Sequence, residues 1–335
     1  MSTTAARLVV APNWIGDAVM ALPFLRALRR NAPDRPLAVI ARPGPAAIYR
    51  AEGSADVVLE ASGLFSSART ASRGRFGEAW LLPNSFRSAL VPLLARIPQR
   101  IGFATDGRAP LLTLRLPPPP STGHQLRDYD RLLESRGIEP DLAPPRLTVP
   151  SGAADAAAFA LARAGLPPNR PLVLLAPGAA FGWTKRWPAE RFGRLGRLLL
   201  ERGFLCALVI GPREEPLAEE ARVAAGGYLP VLGADLDPMG VAALAARAIA
   251  VVSNDSGPMH LAAAVGTPVV ALFGPTDPGR TGPTGVVNEV LDRYVFCSPC
   301  YLKECPYRHE CMREIEVEEV LGAVLRVTAA GPPAL

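Results

Sequence analysis

The sequence predicts an α/β protein of two Rossmann-like domains facing a cleft. Three observations carry that prediction. The chain has 335 residues, more than one ordinary core holds and suited to two units of about 150. Short apolar runs alternate with amphipathic stretches, the pattern of parallel strands joined by helices. The alternation also restarts at Leu172, directly after Gly165-Leu-Pro-Pro-Asn-Arg-Pro171. Three prolines and a glycine there exclude helix and central strand. The predicted domains are therefore 1–165 and 166–335.

The elements follow in order. Residues 8–11 form a first apolar strand, and 17–30 an amphipathic helix. Strands are predicted at 37–41, 57–59 and 79–82, with a helix at 85–95. Pro117-Pro-Pro-Pro120 is a stiff surface connector. Helices at 124–136 and 151–164 precede the boundary. The second half reads strand 172–176, helix 189–202, strand 204–210, helix 214–225, strand 229–232, helix 238–248, strand 249–252, helix 258–265 and strand 268–273. A closing helix at 317–327 has the option of packing back on the first domain.

Composition narrows the function classes. Apolar residues make up 49% and charged residues 20% of the chain, the balance of a globular protein. No apolar run reaches the roughly 18–20 residues that span a bilayer. The start lacks a charged segment, apolar core and cleavage site, so the expected location is the cytoplasm. Peripheral attachment to the cytoplasmic face of the inner membrane stays open. The net charge of +5 favours anionic partners, but no Lys/Arg run or aromatic-basic cluster points to nucleic acid. Free use of arginine explains the same excess without any partner.

Four loops at predicted strand ends have the residues for chemistry. Pro12-Asn13-Trp-Ile-Gly16-Asp17 joins the first strand to the first helix. Asp17 there is either a helix cap or a carboxylate able to take a proton. Pro177-Gly-Ala-Ala-Phe-Gly-Trp-Thr184-Lys185-Arg186-Trp-Pro188 places glycines, a hydroxyl and two cations ahead of a helix, which suits an anion. Ser253-Asn-Asp255-Ser256-Gly257-Pro-Met-His260 ends a buried strand and opens another helix. Its free N–H groups suit a diphosphate. Asp255 is unfavourable beside an anion, so it reads as a partner of sugar hydroxyls or as an orienting group. His260 is equally readable as structural. Thr276 and Asp277 sit in a Pro/Gly turn that serves as a ligand contact or as a plain turn.

Together these segments resemble the ADP-heptose:lipopolysaccharide heptosyltransferases, glycosyltransferase family 9, and within it most the heptosyltransferase II branch. Five stretches carry the likeness in one order: Asn13-Trp-Ile-Gly-Asp-Ala-Val-Met20, Leu82-Pro-Asn-Ser-Phe-Arg-Ser88, Arg100-Ile-Gly-Phe103, Pro177-Gly-Ala with Lys185-Arg-Trp-Pro188, and Asn254-Asp-Ser-Gly-Pro-Met-His-Leu-Ala-Ala263. The resemblance implies a GT-B fold. It implies inverting transfer of heptose from ADP-heptose to phosphorylated heptosyl-Kdo2-lipid A, without cofactor or catalytic metal. It makes the first domain the acceptor-binding one, through Asn13 and Arg87, and gives Asp17 the role of general base. Thr184, Lys185, Asp255, Ser256, Gly257 and His260 would hold the donor, with Lys185 neutralising the departing ADP. Glu214 or Glu215 would reach the ribose. Domain closure would exclude water.

Cys206 stands alone in an apolar strand. Cys297, Cys300, Cys305 and Cys311 fall within fifteen residues without a standard two-pair zinc spacing. They read as a structural metal cluster, as free thiols or as an oxidised pair, and not as catalytic groups. Three alternatives remain: another family-9 transferase with a different sugar or a protein acceptor, a nucleotide-sugar 2-epimerase, or a nucleotide-binding regulatory module.

Overall fold

The computed structural model describes residues 5–329. They form two compact units that divide between Pro145 and Arg146. The division lies upstream of the Gly/Pro stretch at 165–171. The helix at 151–163 packs on a helix of the second unit, and the Leu147 amide donates to the Ala264 carbonyl.

The first unit holds β1 (Ala6–Val10), α1 (Ile15–Met20), α2 (Leu22–Asn31), β2 (Leu37–Ala41), α3 (Pro43–Glu52), β3 (Val57–Glu60), α4 (Leu64–Arg73), β4 (Phe76–Leu81), α5 (Phe86–Leu94), β5 (Gln99–Phe103), β6 (Leu114–Leu116) and α6 (Gln125–Glu134). The second holds α7 (Ser151–Arg163), β7 (Leu172–Ala176), α8 (Ala189–Glu201), β8 (Leu205–Val209), α9 (Glu215–Ala224), β9 (Val231–Leu232), α10 (Pro238–Ala246), β10 (Ala250–Asn254), α11 (Gly257–Ala264), β11 (Val269–Leu272), α12 (Pro278–Thr281), β12 (Asn288–Leu291), α13 (Glu310–Arg313) and α14 (Val317–Ala329).

Each unit is built on a six-stranded sheet. The strand orders are β3-β2-β1-β4-β5-β6 and β12-β11-β10-β7-β8-β9, and all pairings are parallel. Numbered within its own unit, the second sheet repeats the order of the first. Parallel strands covered on both faces must be apolar throughout, and β2, β7, β8 and β10 are buried at every residue. In both sheets the order reverses between two central strands, β1/β4 and β7/β10. Ligands in such sheets bind beyond the carboxyl ends at that point.

Two points of the structure differ from the sequence reading. The single helix expected at 17–30 is two, because Pro23 opens a new helix within its first turn. The stretch between the second and third strands, where the alternation calls for a helix, is α3, and it tolerates Pro43 and Pro45 because prolines in a first turn lack only N–H groups that have no intrahelical partner. The closing helix packs within the second unit, where Val320, Ala323 and Val324 join Phe192, Leu195 and Val270 in one core. Gly193 on α8 brings α9 close: a Cβ there would stand 2.1 Å from the Ala221 carbonyl.

Candidate active site

In the first unit the β1–α1 connection carries Asn13 and Trp14, both exposed, and then the half-buried Asp17. Trp14 occupies the N-cap position of α1 and makes no side-chain cap bond. Asp17 is thus in the first turn rather than at the cap. Its Oδ1 accepts a hydrogen bond of 3.2 Å from Gln125 Nε2 on α6, and the same amide donates to the Tyr129 hydroxyl at 3.0 Å. Tyr49 on α3 is fully buried, and its hydroxyl has no hydrogen-bond partner. Burial, and then the nearby Tyr129 and Asp17, push its pKa well above 10. It is therefore a neutral wall beside the carboxylate.

A cavity of about 90 Å³ opens at the carboxyl ends of β1, β2 and β4, lined by Asn13, Arg42, Ser67, Ser85, Arg87 and Ser88 among others. Arg42, Gly63 and Ser85 also line it, and they are the N-cap residues of α3, α4 and α5. Three helix N-termini and two guanidiniums thus converge on one space, an environment that favours an anion. The sequence reading named Asn13 and Arg87 but not Arg42, although Arg42 directly follows a strand.

The wall that carries Arg87 is fixed by Arg108, which is fully buried. Its guanidinium donates to the carbonyls of Phe103 (2.8 Å) and Pro83, to Ser88 Oγ (2.9 Å) and to Asn84 Oδ1 (3.2 Å). Burial lowers its pKa to about 10, against the opposing charge of Asp106.

In the second unit the β7–α8 connection passes through a short 3-10 turn, residues 183–185. Lys185 Nζ lies 2.5 Å from Asp255 Oδ2 and 5.0 Å from the centre of the Phe181 ring. Their side chains are only 13% and 5% exposed. Asp255 Oδ2 also accepts from Thr276 Oγ1 at 2.7 Å, and Thr281 Oγ1 stands 3.4 Å from both carboxylate oxygens. The carboxylate that looks out of place beside an anion is therefore charge-paired before any ligand arrives. Asn254 locks the two loops together. Its Oδ1 accepts from the Trp187 amide at 2.9 Å, and its Nδ2 donates to the Pro177 carbonyl at 2.8 Å.

Ser256 is the N-cap of α11 without capping it, its hydroxyl lying 3.2 Å from Ser253 Oγ. Gly257 opens the helix, and His260 is buried one turn in. Glu214 Oε2 accepts from the Gly211 amide at 2.8 Å. Its carboxylate lies against the β7–α8 connection: a Cβ on Gly178 would stand 2.0 Å from Oε2. Lys185, Asp255, Thr276 and the start of α11 thus share the carboxyl edge of the second sheet, with Glu214 beside them at Gly178. Asp277 instead caps α12, accepting from the Gly279 amide.

Thr184 is buried, and its hydroxyl donates to the Leu302 carbonyl at 2.7 Å. His309 Nε2 lies 2.6 Å from the Thr184 carbonyl, and the His309 ring meets Trp183 edge-on. The cysteine-rich segment therefore backs the Lys185 loop. Cys297, Cys300 and Cys305 are half-buried, Cys311 is buried, and none is in a disulfide. Burial, then the other three thiols, raise the Cys311 pKa to about 11. Among the described residues no three His, Cys, Asp or Glu side chains are grouped as metal ligands.

Comparison with known proteins converges. Glycosyltransferase family 9 (heptosyltransferase) matches residues 64–310. The chain is 30% identical to lipooligosaccharide heptosyltransferase 2 of Haemophilus influenzae, over 82% of this chain and 85% of the relative. Identity to lipopolysaccharide heptosyltransferase 2 of Escherichia coli K12 is also 30%, over 82% and 84%. Among solved structures, E. coli ADP-heptose lps heptosyltransferase II superposes with a TM-score of 0.82 at 25% identity, covering 97% of this chain and 99% of that one. A family 9 glycosyl transferase from Veillonella parvula gives 0.83 at 22%, covering 99% of each.

Proposed function

This chain belongs to glycosyltransferase family 9, the heptosyltransferases, and on that premise we propose that it transfers heptose from ADP-heptose to heptosyl-Kdo2-lipid A of the lipopolysaccharide inner core. The observation that supports a nucleotide-sugar donor most directly is the Lys185–Asp255–Thr276 cluster beside the N-terminus of α11. The first-unit cavity between Arg42 and Arg87 suits the anionic groups of the acceptor.

In the proposed reaction Asp17 takes the proton of the acceptor hydroxyl as its oxygen attacks the anomeric carbon of the heptose. The bond from that carbon to the diphosphate oxygen breaks with inversion, and ADP departs with the electron pair. Lys185 and the α11 N-terminus meet the growing charge. Asp255 holds Lys185 in place and faces the sugar hydroxyls, while Ser256, Gly257 and His260 line the diphosphate. Thr184 acts from behind, as the anchor of the Lys185 loop. Among the described residues no helix is long and apolar enough to cross a membrane, so a lipid-borne acceptor has to be met at a surface.

The direct test is incubation with ADP-heptose and defined core acceptors, read by mass spectrometry. An acceptor that gains one heptose is the expected result. Donor turned over to an epimer without acceptor would overturn the reading.

Two further outcomes follow. Gly178→Ala drives a methyl group into the Glu214 carboxylate and is expected to weaken ADP binding about tenfold, the worth of one hydrogen bond to a charged group. Unchanged affinity by calorimetry would take Glu214 out of the nucleotide site. Arg42 and Arg87 are exposed, whereas the Lys185–Asp255 pair is almost covered. Salt screens exposed charges far more than covered ones. Raising ionic strength should therefore increase the acceptor KM more than the donor KM, and equal sensitivity would argue against the cavity as the acceptor site.

A further inference from the structure

The positive charge of this chain is not spread evenly. Residues 61–118 hold eight arginines and no lysine, against only Glu78 and Asp106. That stretch carries net +6, more than the +5 of the whole chain. It comprises α4, β4, α5, β5 and β6. Arg69, Arg73, Arg75, Arg87, Arg96 and Arg115 are exposed, and no ion pair is made by any of these six among the described residues.

The same region exposes large apolar side chains. α4 and α5 pack side by side, with Leu64, Ala71 and Val91 turned inward to the sheet. On their outer side Phe65 is 80% exposed, Leu94 48% and Phe86 42%. Phe65 follows Leu64, and Phe86 precedes Arg87, and both Leu64 and Arg87 line the first-unit cavity. Aromatic and leucine side chains among unpaired arginines form a surface that water solvates poorly and anionic headgroups complement.

We infer that the outer surface of α4 and α5 docks on an anionic lipid bilayer, presenting the mouth of the cavity to a membrane-borne substrate. The arginines meet headgroup phosphates, while Phe65, Phe86 and Leu94 enter the interface. This inference rests on the proposed lipid-borne acceptor, but its test does not pass through turnover.

The experiment is co-sedimentation of the full chain with vesicles of phosphatidylethanolamine and phosphatidylglycerol, and with phosphatidylcholine vesicles as the uncharged reference. Binding to the anionic vesicles alone, released by high salt, is expected. Arg69→Glu/Arg73→Glu/Arg96→Glu, at positions outside the cavity lining, should lower the partition coefficient about a hundredfold or more, at roughly fivefold per surface cation lost. A Phe65→Ser/Leu94→Ser variant should weaken binding without changing its salt dependence. Both variants should keep wild-type turnover on a soluble, delipidated acceptor and lose it on acceptor embedded in vesicles.

No binding by the wild type, equal binding to phosphatidylcholine, or unchanged binding by the charge variant each overturns the inference. So does equal affinity for random double-stranded DNA, which would mark a general polyanion surface. Loss of turnover on the soluble acceptor would place these arginines in the acceptor site instead. If vesicle binding holds while no heptose transfer is found, the docking surface stands and the proposed acceptor falls.

Discussion

Asp17→Asn is expected to give a folded protein that still binds ADP-heptose but transfers sugar at least about a hundredfold more slowly, the lower range for loss of a general base. Folding should survive because the carboxylate does not cap α1: Trp14 holds that position without a side-chain bond. Asparagine keeps the size of the side chain and a carbonyl oxygen, so the amide of Gln125 still has an acceptor where Asp17 Oδ1 stood. It removes the negative charge and with it the capacity to take a proton. Tyr49, beside it, is no substitute, because burial holds its hydroxyl neutral and a neutral phenol is a poor base. Transfer to a saturating acceptor, ADP-heptose affinity and the thermal midpoint are the three measurements. Activity within a few-fold of wild type at an unchanged midpoint would leave Asp17 as a helix residue without a catalytic role.

The architecture was readable because buried parallel strands are apolar at every position. β2, β7 and β8 announce themselves as unbroken apolar runs, and β10 does so up to Ser253. Two of the four edge strands do not. β6 has three residues and β12 only half-buried ones, so neither has a pattern long enough to find. The compact units divide between Pro145 and Arg146, so the Gly/Pro stretch before Leu172 lies inside the second unit. Its preceding helix α7 is Ala-rich with two buried residues, and nothing in that pattern says which sheet it will cover.

The site was legible only as loops at strand ends. Which side chains meet across them was not. Lys185 and Asp255 are 70 residues apart and Gln125 and Asp17 are 108 apart, distances over which no periodicity runs. Arg108 looks in sequence like any solvated arginine in a Gly-rich turn. Its four-partner role follows from where β5 ends relative to the loop after β4, a property of the fold. The cysteine-rich segment drew attention for its thiols, yet its contacts with the site run through Leu302, Lys303 and His309.

Lys185→Ala is the other substitution with a large expected effect, and the structure gives it two separable parts. The first is catalytic. ADP leaves as a polyanion, and losing one cation that meets its charge costs about one to three powers of ten in turnover. The second is electrostatic and precedes chemistry. Without Lys185 the carboxylate of Asp255, 5% exposed, keeps the hydroxyls of Thr276 and Thr281 but loses the ammonium 2.5 Å from its Oδ2. Breaking a buried pair from one side costs about 3–5 kcal/mol, felt as a lower thermal midpoint, and the orphaned charge repels the diphosphate. Lys185→Ala/Asp255→Asn removes that charge. The double variant is therefore expected to recover thermal stability and ADP affinity relative to Lys185→Ala while its turnover stays low. The cycle distinguishes a cation that acts on the leaving group from one that only balances Asp255. If the double variant regains wild-type turnover, Lys185 serves Asp255 alone and the leaving-group role is wrong. If Lys185→Ala leaves ADP affinity and turnover untouched, the donor is held elsewhere.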